Sequence, residues 1–146
     1  METTNTKRIL FVGYNFSPEL TGIGKYSGEM MQWLAEKGHE CTVLTSYPYY
    51  PYWKIQDPYR KNRFWYKKEV TNFDSGGKLR VIRCPMYVPN KPSGAKRMLL
   101  DSTFSISAFL ISIPLLFFKK YSRIITIAPS FQFGLLGVFY KKIKGA

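Results

Sequence analysis

This 146-residue chain is short of acid, histidine and cysteine, and each shortage removes a class of function. It has nine aspartates and glutamates and one histidine, His39, and they form no cluster at ligand spacing, so a metal centre is not expected. Two cysteines show neither a CxxC spacing nor a disulfide framework. Cys41 lies inside an apolar run and Cys84 ends another, and both are expected to be small buried residues of a reducing compartment. METTNTKR has no apolar stretch before the first strand, so no secretory signal is expected and the cytoplasm is the default. A GxxxxGK[ST] loop is missing, which disfavours a nucleoside-triphosphate hydrolase, and so is any RNP-like, zinc-finger or helix-turn-helix pattern, which disfavours specific nucleic-acid binding. Internal repeats and low-complexity tracts are missing too.

What is present is base and apolar mass. Lysine and arginine number 22, giving a formal charge of +13, while 45% of residues are hydrophobic and 17% aromatic. That composition forms a core, and the length suits one domain. The charge favours anionic partners without choosing among phosphate esters, acidic lipid surfaces and nucleic acid.

The organising stretch is Lys7 to Ser46. Ile9 to Val12 is a near-continuous apolar run closed by Gly13, the pattern of a parallel strand covered on both faces. Met30, Met31, Leu34 and Ala35 recur at helical spacing until Lys37-Gly38, and Cys41 to Thr45 reads as a second strand. A strand, crossover helix and strand make a βαβ unit whose ligands sit at the carboxyl ends of the strands, so the functional surface is expected in the loop 14–25. There, Gly22 and Gly24 precede the expected helix start. Glycines at such a point let backbone N–H groups approach an anion, and the helix dipole favours negative charge, so a diphosphate is the natural ligand. A purely structural tight turn explains the same residues, and both readings stay open. Gly22, Gly24 and Gly28 give GxGxxxG, not the dinucleotide fingerprint, and Thr45-Ser46 brings no carboxylate for a ribose, which disfavours a nicotinamide dehydrogenase. His39 reads as a solvated turn residue on the side away from the carboxyl ends, and Glu29 as a solvated or dipole-facing carboxylate.

The loop after the second strand carries Tyr47, Tyr49, Tyr50, Tyr52, Trp53, Tyr59, Trp65 and Tyr66. Its rings suit sugar faces, bases or a lipid interface, and equally a loop packed over the core. Phe64 to Thr71 and Lys78 to Cys84 flank DSGG as an expected hairpin. From Ser93 the pattern turns helical, and Met98 to Phe118 holds FSISAFLISIPLLFF. Asp101, its serines and Pro114 argue against a membrane span. The expectation is an interfacial helix on an anionic leaflet, with Lys96, Arg97, Phe109, Leu110, Leu115, Phe117, Lys119 and Lys120 at the membrane; the rival is a crossover helix buried on the sheet. Ile124 to Ala128 reads as a strand closed by Pro129-Ser130, and Phe131 to Lys144 as a helix. Ending at Gly145-Ala146, where a parallel α/β fold returns to another strand, the chain reads as cut short.

The run ILFVGYNFSPELTGIGKYSGEMMQWLAEKGHECTVLTSYPYYPYW resembles the N-terminal domain of glycosyltransferase family 4, a GT-B family, and especially its colanic-acid and exopolysaccharide branch. Carrying the likeness are Asn15 to Glu19 after the first strand, the glycine loop Thr21 to Gly24, the helix end Gly38-His39-Glu40, and Tyr49-Tyr50-Pro51. The resemblance implies a Rossmann-like parallel sheet with flanking helices, one acceptor-side domain over 1–146, and a nucleotide-sugar domain missing from these residues. It implies retaining transfer from a nucleotide-diphosphate sugar, as substrate with no cofactor, to a lipid-linked or saccharide acceptor. Such a chain would be inactive alone, would pair with a C-terminal half, and would be cytoplasmic or peripheral on the inner membrane. Gly22, Ile23, Gly24 and Lys25 would meet the donor diphosphate, and Tyr14, Asn15 and Ser130, by their strand-end positions, the acceptor. No catalytic residue is assigned.

Overall fold

The computed structural model describes residues 5–20, 22–127 and 131–144. The strands are β1 (Arg8–Val12), β2 (Glu40–Ser46), β3 (Lys67–Asn72), β4 (Lys78–Cys84) and β5 (Arg123–Thr126). The helices are α1 (Gly22–Glu36), α2 (Gly94–Phe118) and α3 (Phe131–Lys144). They form a five-stranded sheet in the order β3-β4-β2-β1-β5, parallel throughout except for the β3/β4 hairpin. The expected α/β class and the hairpin around DSGG are therefore observed. β3 starts at Lys67, three residues later than the pattern suggested, and leaves Phe64 and Trp65 in the preceding loop.

Alternation along the buried strands divides the core into two layers. Ile9, Phe11, Cys41, Val43 and Val81 face α1, where Met31 and Ala35 pack. Leu10, Val12, Leu44, Ile82 and Cys84 face the other way, onto Phe104, Ala108 and Leu116 of α2 and Tyr140 of α3. The Tyr140 hydroxyl, 2.9 Å from Ser112 Oγ, ties α3 to α2 inside this layer.

Helix α2 is the crossover between β4 and β5. Ser93 caps it by accepting from the Lys96 N–H, and the helix starts at Gly94, ahead of the Met98 at which the apolar span begins. Among the described residues it is the one helix long and apolar enough to cross a bilayer. Only 28% of its most apolar window is buried, however, so it covers the sheet with one face and leaves Ile106, Leu110, Ile113, Phe117 and Phe118 exposed on the other.

At the amino end of the sheet Glu40 receives Arg8 Nε and Lys119 Nζ, each at 2.8 Å, which fastens the end of α2 to β1 and β2. The Lys119 contact, foremost, and the Arg8 hydrogen bond hold the Glu40 carboxyl below its ordinary value. His39 lies in the turn just before β2, where its Nδ1 accepts from the Lys7 N–H at 3.4 Å.

Candidate functional site

A cleft of about 470 Å³ opens at the carboxyl ends of β1 and β2. Tyr14 and Asn15 line it from the end of β1, Gly22, Ile23 and Gly24 from the start of α1, Tyr49, Tyr50 and Trp53 from the loop after β2, and Arg97, Leu100 and Asp101 from α2. Five of the residues expected from the sequence thus share one space. Lys25 does not line it. Its ammonium lies 4.0 Å from Glu29 and 5.8 Å from the Tyr26 ring, on the outer face of α1. Ser130 lies outside the described residues.

The glycines differ in what they do. Helix α1 begins at Gly22, so Gly22 and Gly24 belong to its first turn instead of preceding it. Gly22 has φ +57°, with open space where a Cβ would stand, a left-handed entry that glycine adopts without strain. At Gly24 a Cβ would stand 2.7 Å from Glu19 Cβ and Oε2, and at Gly28 one would stand 2.7 Å from Ser17 Cβ. Those two glycines let α1 press against the loop 15–20. The first N–H groups of α1 have no partner within the helix, and no acid occupies its first turn, so its dipole faces the cleft unopposed from within the helix.

Glu19 is the hidden organiser of this corner. It is 4% exposed. Its Oε1 accepts from the N–H groups of Tyr49 (3.1 Å) and Tyr50 (3.0 Å), and its Oε2 from Asn15 Nδ2 (2.9 Å). One carboxylate therefore joins the loop after β1 to the loop after β2. Burial, the largest influence, raises its pKa in spite of these donors and of the nearby Arg83 charge. Arg83, itself 3% exposed, donates from Nη1 to the Ser46 carbonyl at 3.2 Å and from Nη2 to the Ser17 carbonyl, with Nε 3.4 Å from Glu69. It clamps the same loop to the ends of β2 and β4.

The aromatic loop packs over the core in part and lines the cleft in part. Tyr47 is buried, with its hydroxyl donating to the Trp65 carbonyl, and Tyr66 donates to the Ser107 carbonyl at 2.7 Å. Trp53, by contrast, lines the cleft with φ +52°, a backbone state rare for a bulky residue. Tyr49 at 5.6 Å and Tyr50 at 6.3 Å meet its ring edge to face, and the Arg97 guanidinium sits 5.2 Å from its centroid. Opposite, burial and then the Asp101 carboxylate raise the Tyr14 hydroxyl far above its ordinary value, with Arg97 opposing. The cleft thus combines flat rings, one cation, one carboxylate and an amide side chain, which bring stacking faces, hydrogen-bond donors and acceptors into one space.

Sequence reasoning named Trp53 among the rings of the aromatic loop and Glu19 within a motif, without giving either a place at the cleft, and it missed Asp101 and the place of Arg97 there. Arg97 and Asp101 stand one helical turn apart, a spacing that put them on one face of α2, but nothing local said which face met the loop.

No family model matches the chain. It is 46% identical over 125 residues, 84% of its length, to the Escherichia coli (strain K12) protein named "Putative colanic acid biosynthesis glycosyl transferase WcaI". The chain spans 28% of the length of that relative. That relative's name is of the colanic-acid branch that the motifs from Asn15 to Pro51 resemble.

Proposed function

We propose that this chain is the acceptor-side domain of a retaining glycosyltransferase that moves a sugar from a nucleotide-diphosphate donor to a saccharide or lipid-linked acceptor. The observation that carries the reading is the cleft itself: α1's first turn and Arg97 supply a diphosphate's partners, while Trp53, Tyr14, Asn15 and Asp101 supply those of a sugar ring. Lys25, turned toward Glu29, is replaced by Arg97 as the cation of the site. The donor's nucleotide would be held by a further domain, continuous with this chain or separate, and neither metal nor cofactor is invoked.

Calorimetric titration of the chain with uridine and guanosine diphosphate sugars and with neutral oligosaccharides tests this. Saccharide binding that Trp53→Ala weakens, with diphosphate binding that Arg97→Ala weakens, is expected. Binding untouched by either substitution would defeat the reading.

A second reading rests on α2. Its outward face presents Ile106, Leu110, Ile113, Phe117 and Phe118, a surface suited to peripheral contact with the inner leaflet. Of the residues expected at the membrane, Leu110, Phe117, Lys96, Arg97 and Lys120 are exposed, whereas Phe109 packs 5.5 Å from Phe139, Leu115 joins the core and Lys119 is engaged by Glu40. The two readings are compatible for an enzyme acting on a lipid-linked acceptor.

A further inference from the structure

Five buried side-chain atoms have no hydrogen-bond partner among the described residues, and four of them belong to one group: Thr42 Oγ1, Tyr121 Oη, and Nε and Nη1 of Arg80. Such atoms are rare in folded proteins, and several in one place mark a site for something the polypeptide does not itself supply. Thr42 of β2 and Arg80 of β4 are paired in register on adjacent strands. Each lies two residues before a member of the α2-side core layer, Leu44 or Ile82, so both face α2. Tyr121, in the link from α2 to β5, packs into the same layer and is 4% exposed. Burial, above all, raises its pKa, so the hydroxyl keeps a proton to donate; Thr42 and the Arg80 charge lie near enough to oppose that rise.

The group also carries excess positive charge. Glu40 is shared by three cations: Arg8 Nε and Lys119 Nζ at 2.8 Å, and Arg80 Nη1 at 4.0 Å. No other acid pairs with any of the three among the described residues. A cleft of about 500 Å³ lined by Lys7, Arg8, Glu40, Lys120 and Ser122 opens beside it, sharing Glu40 and taking in both chain neighbours of Tyr121.

We infer that the group binds one small monovalent anion of halide size, held by Arg80 Nε and Nη1 and by the Thr42 and Tyr121 hydroxyls. Arg80 can only donate, so its partner must accept. A water molecule accepts but leaves the charge uncompensated, whereas an anion supplies both. Full burial of the four atoms selects a small ion over phosphate or a sugar carboxylate, and the amino-end cleft gives it access. Bound there, the ion joins β2, β4 and the link from α2 to β5, beside the point where Glu40 fastens the end of α2. The site is independent of saccharide binding in the Trp53 cleft.

Thermal melting of the chain in sodium chloride, against sodium gluconate at equal ionic strength, tests this. With chloride at roughly ten times its dissociation constant, the midpoint should be about 3 to 6 °C higher than in gluconate, and the gain should saturate. Bromide should replace chloride. Tyr121→Phe and Thr42→Val each remove one hydroxyl with little change of shape and should weaken chloride binding at least about tenfold; Arg80→Met should abolish the gain. Comparing each variant with the parent in the same two salts cancels the general effects of the anions. Lys141→Gln/Lys142→Gln, which removes two exposed charges from α3, should keep the full gain. In crystals grown with bromide, an anomalous peak should lie within hydrogen-bond reach of Arg80 Nε and Tyr121 Oη. Equal midpoints in chloride and gluconate, an undiminished chloride gain in Tyr121→Phe and Thr42→Val, or ordered water with no bromide peak at that position would each overturn the site.

Discussion

Glu19 and Gly24 fit together without room for a methyl group: a Cβ on Gly24 would lie 2.7 Å from both Cβ and Oε2 of Glu19. The contact sets the distance between α1 and the loop that carries Asn15, and so the width of the candidate cleft. Gly24→Ala should therefore destabilise the fold by about 1–3 kcal/mol through overpacking. Gly22→Ala meets open space and should lose only about 1 kcal/mol, through its positive φ. Denaturant midpoints of the two variants compare these directly.

Glu19 and Glu40 should give stability opposite pH dependences. Glu19's folded pKa is raised above the ordinary 4.5, so the unfolded chain ionises first. The fold therefore loses stability as pH rises from about 4.5 through the raised value, and Glu19→Gln should flatten that fall. Glu40's folded pKa is lowered, so its contribution is present above 4.5 and is lost as pH falls through the folded value. Glu40→Gln should remove that acid-side loss. Urea unfolding from pH 3.5 to 7 in the two variants checks both signs.

Arg83 donates to the Ser17 and Ser46 carbonyls from a site that is 3% exposed. Arg83→Met fills the volume but leaves the two carbonyls without their donor and Glu69 with Lys67 alone, 3.6 Å away, and should destabilise the protein by about 3 kcal/mol. Faster amide exchange should appear in residues 14–20 before it appears in β1. Uniform change across the sheet would mean that the clamp is not local.

The thiols should be inert. Burial pushes Cys84 up to about 12 and Cys41 up to about 11, and both are buried. An aromatic disulfide reagent at pH 8 should label neither in the folded protein and both in denaturant.

The sheet was legible because its signals are local. Ile9 to Val12, the Met31 and Ala35 stripe of α1, and DSGG each carry their element in consecutive residues, and β1, β2 and the hairpin followed. The cleft was half legible. Tyr14, Asn15 and Gly22 to Gly24 were readable as strand-end and helix-start positions. Glu19's partners lie 30 and 31 residues away, and Arg97 reaches Trp53 from another element, so only the assembled fold reveals them. α2's double character escaped periodicity because apolar residues occupy both its faces, one for the sheet and one exposed. The position of Lys25 was a matter of helical phase: with α1 beginning at Gly22, it falls on the same face as Glu29.

The most direct test of the carboxyl-end cleft as the sugar-transfer site is a two-dimensional amide NMR titration of the chain with a nucleoside-diphosphate sugar and, separately, with an oligosaccharide acceptor. The diphosphate should shift the Gly22, Ile23 and Gly24 amides, and the acceptor should shift the Trp53 indole and the Tyr49 and Tyr50 amides. Saturating ligand that leaves all of these unmoved, or moves only residues remote from the carboxyl ends of β1 and β2, would contradict that assignment.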